Sequence, residues 1–497
     1  MTASDAERSL GRNIFISAAG LGMRAAHLGL LFALGRLFGA ATLGRFLIGL
    51  GLFEIASGVV TTGFVDGTVL FVSRGAVAAG GRDERTLVDA VATALLVGGA
   101  FAALAGLAGA ALAAVLGARL HGEYAAVLPS VPWLAAALLP ALVARVSFAA
   151  STAFLRMEWE AIVGAAGPAL GVLGALPLVR AFGHGDVGGL FVAFFVVQTA
   201  LALVALSVLV SHVGGRTLAR ALRRPRLDRR LLHFALPQGL NMATSAYIGR
   251  LDVLTLAAAG TPAALVGVYG AVAALVVELR QVRMVVSGAL APIIARHAAL
   301  GDRAAIGRLL SHSAAWIAGI VAPLALAFVV VRRDVVALVA PSYSGETVFA
   351  LFLVIGPVVN SLGGLAGNFL VYLLRNRWNL ANALFVAALA TLAFPLVVAR
   401  FGLPGAALAT SAAMATITLL ETLELRVLEA VRIRSATFRR AVLTLAAAAF
   451  ALAVLRVSVG PAALGGRVAL AIVVGLAAAV VIGGPSRVLR AAPFSRA

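Results

Sequence analysis

Gly214 to Arg230 reads GGRTLARALRRPRLDRR, the longest hydrophilic stretch in a chain of 497 residues. Apolar runs recur on both sides of it. Their approximate cores are 13–36, 46–72, 87–117, 127–154, 161–181 and 187–212 before it, and 231–259, 263–294, 306–330, 347–374, 379–399, 404–425, 438–455 and 467–483 after it. A helix of about 20 apolar residues crosses a bilayer while satisfying its own backbone groups. The pattern therefore predicts an all-α polytopic membrane protein with about 14 transmembrane helices. At 62% hydrophobic and 12% charged content, no stretch is left to build a soluble domain.

Arginine placement predicts the orientation. With a cytosolic N-terminus, 26 arginines fall on the cytosolic side and 9 on the other. That asymmetry predicts a multi-pass protein of the inner (cytoplasmic) membrane with both termini in the cytosol. The net charge of +20 is then made almost wholly of loop arginines facing anionic headgroups. Membrane lipids are expected partners and nucleic acid is not. All 40 basic residues are arginine, which beside so much alanine and glycine reads as compositional bias of the source genome. Without cysteine there is no disulfide, thiolate catalyst or cysteine metal site, and no metal or organic cofactor is implied. Arg24 and His27 already interrupt the first run, so it reads as a retained helix rather than a cleaved leader.

The 214–230 stretch also separates two similar halves. Leu155-Arg156-Met157-Glu158-Trp159 precedes a run ending Pro177-Leu178-Val179-Arg180-Ala181-Phe182-Gly183, and Leu374-Arg375-Asn376-Arg377-Trp378 precedes one ending Phe401-Gly402. A second echo pairs Gly44-Arg45-Phe46 and Glu54 with Gly267-Val268-Tyr269 and Glu278. Two echoes in the same order predict an internal repeat. The expected domains are a six-helix bundle over 1–215, a basic cytosolic linker over 216–230, a second six-helix bundle over 231–430, and a terminal helix pair with tail over 431–497. Six helices per half make the repeats parallel, a geometry found in secondary transporters.

Charges inside the spans are the candidate functional residues, because each costs about 2.5–3.5 kcal/mol at the bilayer centre. Arg24, Arg145, Arg250, Arg280 and Arg283 lie inside predicted spans, as do Glu54, Asp66, Asp252 and Glu278. Arg280 and Arg283 share a helix face and repel, so an anion from elsewhere must meet them. It is either a bound diphosphate, which suits the guanidinium fork, or a structural partner such as Asp252 or Glu54. The same alternatives stand for Arg145, whose bland partner is a backbone carbonyl. Asp252 is a candidate coupling-ion carboxylate or a neutraliser of Arg280. His27 reads first as a packing residue. The run Gly363-Gly364-Leu365-Ala366-Gly367 reads as a small-residue packing surface, and Glu421 and Glu424 as snorkelling acids. Asn360, Asn368, Asn241 and Gln238 read as interhelical hydrogen-bonders or sugar contacts.

Three segments carry a resemblance. Leu34-Gly35-Arg36-Leu37-Phe38-Gly39 with Leu43-Gly44-Arg45-Phe46, then Pro237 to Arg296, then Tyr343 through Arg375 and Arg377 to Phe401-Gly402-Leu403-Pro404-Gly405-Ala406 resemble bacterial polysaccharide (O-antigen type) flippases. These belong to the multidrug/oligosaccharidyl-lipid/polysaccharide exporter superfamily. The resemblance implies two helical bundles around a cavity lined by the first helices, where Arg24 would lie. It implies a polyprenyl-diphosphate-linked oligosaccharide as substrate, moved by alternating access, and other polysaccharide-assembly membrane proteins as partners. On that reading Arg24, Arg145, Arg250, Arg280 and Arg283 hold the diphosphate, while Glu54, Asp66, Asp252 and Glu278 couple an ion or balance charge. A cation-coupled multidrug antiporter of the same superfamily is the nearer alternative. A membrane-embedded polymerase or glycosyltransferase is the farther one, since the outer loops offer only isolated His121, Glu123, Asp334 and Glu346.

Overall fold

The computed structural model describes residues 28–29, 31–68, 71, 84–116, 122–153, 187–284, 286–287, 290, 294, 297, 301–372, 376–429 and 431. Every regular element among them is helical. Seven helices among the described residues are long and apolar enough to cross a membrane: Ala40–Thr68, Val88–Val115, Glu123–Ser151, Val187–Val213, Ala263–Met284, Arg303–Val339 and Arg377–Leu428. Arg229–Ala258 adds a further 30-residue helix over the predicted 231–259 run, with more polar positions. The expected all-α polytopic membrane fold is thus present. The predicted cores 161–181, 438–455 and 467–483 lie outside the described residues, as does most of 13–36 with Arg24 and His27.

The chain divides into two compact units, Met1–Gly267 and Val268–Ala497. The first therefore runs past the basic 216–230 stretch and includes the helix after it. In that unit we name α1 (Ala40–Ser57), α2 (Glu84–Leu116), α3 (Glu123–Val127), α4 (Val131–Ala153), α5 (Val187–Val213), α6 (Gly215–Arg223) and α7 (Arg229–Ala258). The linker is thus partly helical: its arginines are exposed while Leu218 is buried. Asp228 starts α7 by accepting hydrogen bonds from the amides of Arg230 (2.9 Å) and Leu231 (3.3 Å).

α7 packs against α1 and its continuation at backbone contact. A Cβ on Gly58 would lie 2.9 Å from the Ala243 Cα, and one on Gly239 would lie 2.8 Å from the Val59 carbonyl oxygen. Small residues at such a seam let dispersion and short polar contacts hold helices together where lipid removes the hydrophobic drive. Gly44 and Gly267, matched in the sequence echo, also meet. A Cβ on Gly44 would sit 2.9 Å from the Gly267 nitrogen, and one on Gly267 would sit 2.8 Å from the Gly44 nitrogen. Glu123 pins this end of the unit, bonding Arg45 Nε at 2.9 Å and the Ala263 amide at 3.1 Å. Its role here is structural.

The boundary helix α8 (Ala263–Val277) leads into a 3-10 turn, Glu278–Arg280. The second unit continues with α9 (Arg303–Val339), α10 (Val348–Leu353), α11 (Ile355–Gly363), α12 (Leu365–Tyr372) and α13 (Asn376–Leu428). The predicted 347–374 run is therefore broken, at Val354 and again at Gly364. α13 is two helices joined at Gly402, whose φ of 57° and ψ of −134° favour glycine over residues with a Cβ. That joint falls in the predicted gap between 379–399 and 404–425.

Candidate functional site

In the first unit a polar stripe runs along α1, α4 and α7. α1 continues through a π turn at Gly58–Thr62, a feature enriched at functional sites. Thr61 Oγ1 donates to the Ser57 carbonyl at 2.6 Å and lies 3.2 Å from Ser57 Oγ. Arg145, midway along α4, donates from Nη1 to Thr61 Oγ1 at 3.2 Å and to Ser57 Oγ at 3.4 Å. It stands exposed on the surface of its helix in the middle of a span. Its hydrogen-bond acceptors are neutral hydroxyls, and Glu54 acts on it through space without a hydrogen bond.

Arg250 differs. Its Nε meets Glu54 Oε2 at 2.5 Å and its Nη2 meets Glu54 Oε1 at 2.7 Å, a fork-to-fork ion pair. Glu54 therefore bonds Arg250 directly and reaches Arg145 only through space. Asp66 accepts from Gln238 Nε2 at 2.9 Å. Asp252 is 3% exposed and its Oδ1 accepts from the Val253 amide at 2.7 Å. On α7, Gln238, Asn241 and Ser245 follow at helical spacing and share one face.

An apolar cavity of about 330 Å³ lies in the same unit between α1, α2 and α4. Among the described residues Tyr124 is the one polar side chain in its lining, and its hydroxyl already donates to the Leu254 carbonyl at 2.6 Å. The cavity suits hydrocarbon and does not suit a diphosphate.

The second unit gathers Arg280 and Arg283 at the end of α8 with the broken helix and α13. Arg283, 7% exposed, donates from Nη1 to the Gly364 carbonyl at 2.6 Å. Arg280 Nε is buried and meets no acceptor among the described residues. Glu278 acts electrostatically on Arg280, and Glu421 on both arginines. The Glu421 carboxylate lies so close to Gly367 that a Cβ there would sit 2.6 Å from Oε2. Asn360 donates from Nδ2 to Thr418 Oγ1 at 3.0 Å, and Ser361 Oγ donates to the Leu279 carbonyl at 3.2 Å. Glu424 accepts from Asn382 Nδ2 at 2.8 Å.

The residues named from sequence thus divide. Arg145, Arg250, Glu54, Asp66 and Asp252 fall in the first unit, and Arg280, Arg283 and Glu278 in the second. The expected Arg280–Arg283 proximity is present, but Glu54, one of the two acids proposed to neutralise them, is taken by Arg250. Sequence reasoning missed Glu421, which read as a snorkelling acid. It also missed Gly364, whose carbonyl does more than allow close packing. The available signal was that an acid within the 404–425 run needs a partner, and Arg280 and Arg283 needed an anion.

No protein-family model matches this chain, and no curated protein matches it. Solved structures do match. A lipid II flippase, MurJ, in an inward closed conformation superposes with a TM-score of 0.73 at 10% identity, over 94% of this chain and 98% of that one. An inward-facing multidrug resistance MATE family transporter of the MOP superfamily gives 0.62 at 15% identity, over 83% and 98%. The MATE multidrug transporter DinF-BH gives 0.62 at 14%, over 84% and 95%. At such identities the likeness establishes a shared fold: this chain has the helical architecture of these transporters.

Proposed function

We propose that this chain is a flippase that carries a polyprenyl-diphosphate-linked oligosaccharide across the cytoplasmic membrane by alternating access. It is read as a transporter rather than an enzyme, with both termini in the cytosol. One observation carries the choice of substrate: span-level arginines whose hydrogen-bonding capacity is not used up by carboxylates. Arg145 rests on two hydroxyls, and Arg280 Nε has no acceptor among the described residues. A diphosphate can displace a hydroxyl acceptor at little cost, and charge-assisted bonds from arginine to phosphate are about twice as strong as neutral ones. Arg250 is already engaged by a carboxylate, so on this reading it shapes the site more than it binds substrate, whereas Arg283 meets a carbonyl through Nη1 and its Nε has no acceptor among the described residues. Arg24 remains a proposed ligand from the sequence. The likeness to a lipid II flippase supports the lipid-linked class.

A second reading, a cation-coupled multidrug antiporter, draws on the likeness to MATE transporters and on Glu54, Asp66, Asp252 and Glu278 within the spans. The test is the pool of lipid-linked intermediate in a strain lacking this chain. Accumulation of polyprenyl-diphosphate oligosaccharide with loss of surface glycan is the expected outcome. An unchanged pool with altered drug sensitivity would establish the antiporter instead.

A further inference from the structure

Between Gly214 and Arg230 seven arginines stand against a single acid, and that acid, Asp228, is spent on the cap of α7. All seven are exposed. Arg216, Arg220 and Arg223 recur at i, i+4 and i+7, so they line one face of α6. The opposite face is seated, with Leu218 3% exposed and Leu222 half-buried. The turn beyond α6 is held as well. Thr93 on α2, itself buried, accepts from the Asp228 amide at 3.0 Å and donates to the Arg226 carbonyl at 3.4 Å. Between these anchors Leu227 is 52% exposed, an apolar side chain with Arg224, Arg226, Arg229 and Arg230 within three residues of it in sequence.

This stretch starts where the hydrocarbon ends. Only Gly214 separates the Val187–Val213 span from α6, and its φ of 84° lets the chain turn sharply out of the span. A helix that leaves a span at once, with a basic face and an exposed apolar residue beside it, suits the boundary between headgroups and acyl chains. Anionic phospholipid answers the charge, because phosphate fits the guanidinium fork and arginines near a charged leaflet add their attractions. Arginines on a free loop would spend part of that attraction on ordering, whereas the Leu218 and Thr93 anchors already hold these in place. We infer that α6 and the turn after it form a docking surface for anionic phospholipid, in which Arg216, Arg220 and Arg223 take headgroup phosphates and Leu227 enters the acyl boundary. The inference concerns the first unit alone and holds whatever the substrate proves to be.

The chain has no cysteine, so Ala219→Cys, exposed on the arginine face, accepts a single fluorophore. The full-length labelled protein in phosphatidylcholine vesicles is titrated with nitroxide-labelled phosphatidylglycerol or with nitroxide-labelled phosphatidylcholine. The anionic lipid is expected to quench at a severalfold lower mole fraction, with a preference that shrinks as salt rises. Arg216→Gln, Arg220→Gln and Arg223→Gln combined are expected to abolish the preference while leaving the melting temperature unchanged, because the three side chains are exposed. Arg220→Gln alone is expected to reduce the preference partway, which keeps the test open if the triple variant does not accumulate. Equal quenching by the two lipids, or a preference kept in full by the variants, would overturn the inference. Quenching by neither lipid would overturn it too, since that is the behaviour of a face that stands in water and docks an acidic protein.

Discussion

In the first unit Arg250 closes a two-bond fork on the Glu54 carboxylate, whereas in the second the buried Arg283 is held by a backbone carbonyl. The helices follow suit. α7 runs unbroken through Arg250 over 30 residues, while the segment that receives Arg283 is broken at Val354 and Gly364. An arginine on a carboxylate is neutralised, and removing either partner strands a charge. An arginine on a carbonyl or on hydroxyls stays cationic and projects its field to whatever lies nearby. The comparison teaches that counting arginines and acids within spans is not enough: the acceptor type decides which arginines are available to an anion.

The largest effect expected from breaking this contrast is at the paired end. Arg250→Ala should destabilise the protein by on the order of 3 kcal/mol, toward the low end for a broken buried pair because the Glu54 side chain is 36% exposed. Adding Glu54→Gln should recover much of that loss. Folded protein extracted from membranes measures both, and additivity of the two substitutions would show that the pair is not coupled. Next, Arg145→Ala should leave the folded level near that of the parent while transport falls about 10- to 100-fold, as expected for a lost charged hydrogen bond of roughly 1.5–3 kcal/mol. A drop in folded protein parallel to transport would move Arg145 into the structural class.

Smaller effects sharpen the contrast between the two helix breaks. Ser411→Ala, which removes the acceptor of the Gly356 amide, should cost about 1 kcal/mol in a thermal melt, the worth of a neutral hydrogen bond. Asp228→Ala removes only the cap of α7 and should cost about 0.5–1 kcal/mol with transport per folded molecule unchanged.

Much of the scaffold could be read from hydropathy. The runs at 87–117, 127–154, 187–212 and 306–330 correspond to helices found in place, and even the α13 joint falls in the gap left between two runs. Span-level charge also located the candidate clusters. What could not be read was pairing. Helices apolar nearly all round carry no clear 3.6-residue face, so their rotation is invisible in sequence. Glu54 could therefore not be assigned to Arg250 ahead of Arg280, nor Glu421 to Arg283. The break at Gly364 was hidden for a different reason. A Gly-Gly-Leu-Ala-Gly run serves close packing and a turn between helices equally well, and its composition does not show that the Gly364 carbonyl receives a guanidinium.

The most direct test of the central claim is reconstitution into liposomes containing a fluorescent polyprenyl-diphosphate oligosaccharide, with the fraction accessible to an impermeant quencher measured over time. The parent protein is expected to equilibrate the lipid between leaflets, and Arg145→Ala and Arg280→Ala, equally folded, are expected to do so far more slowly. Equilibration at the parent rate by both variants, or none by the parent protein, would contradict that claim.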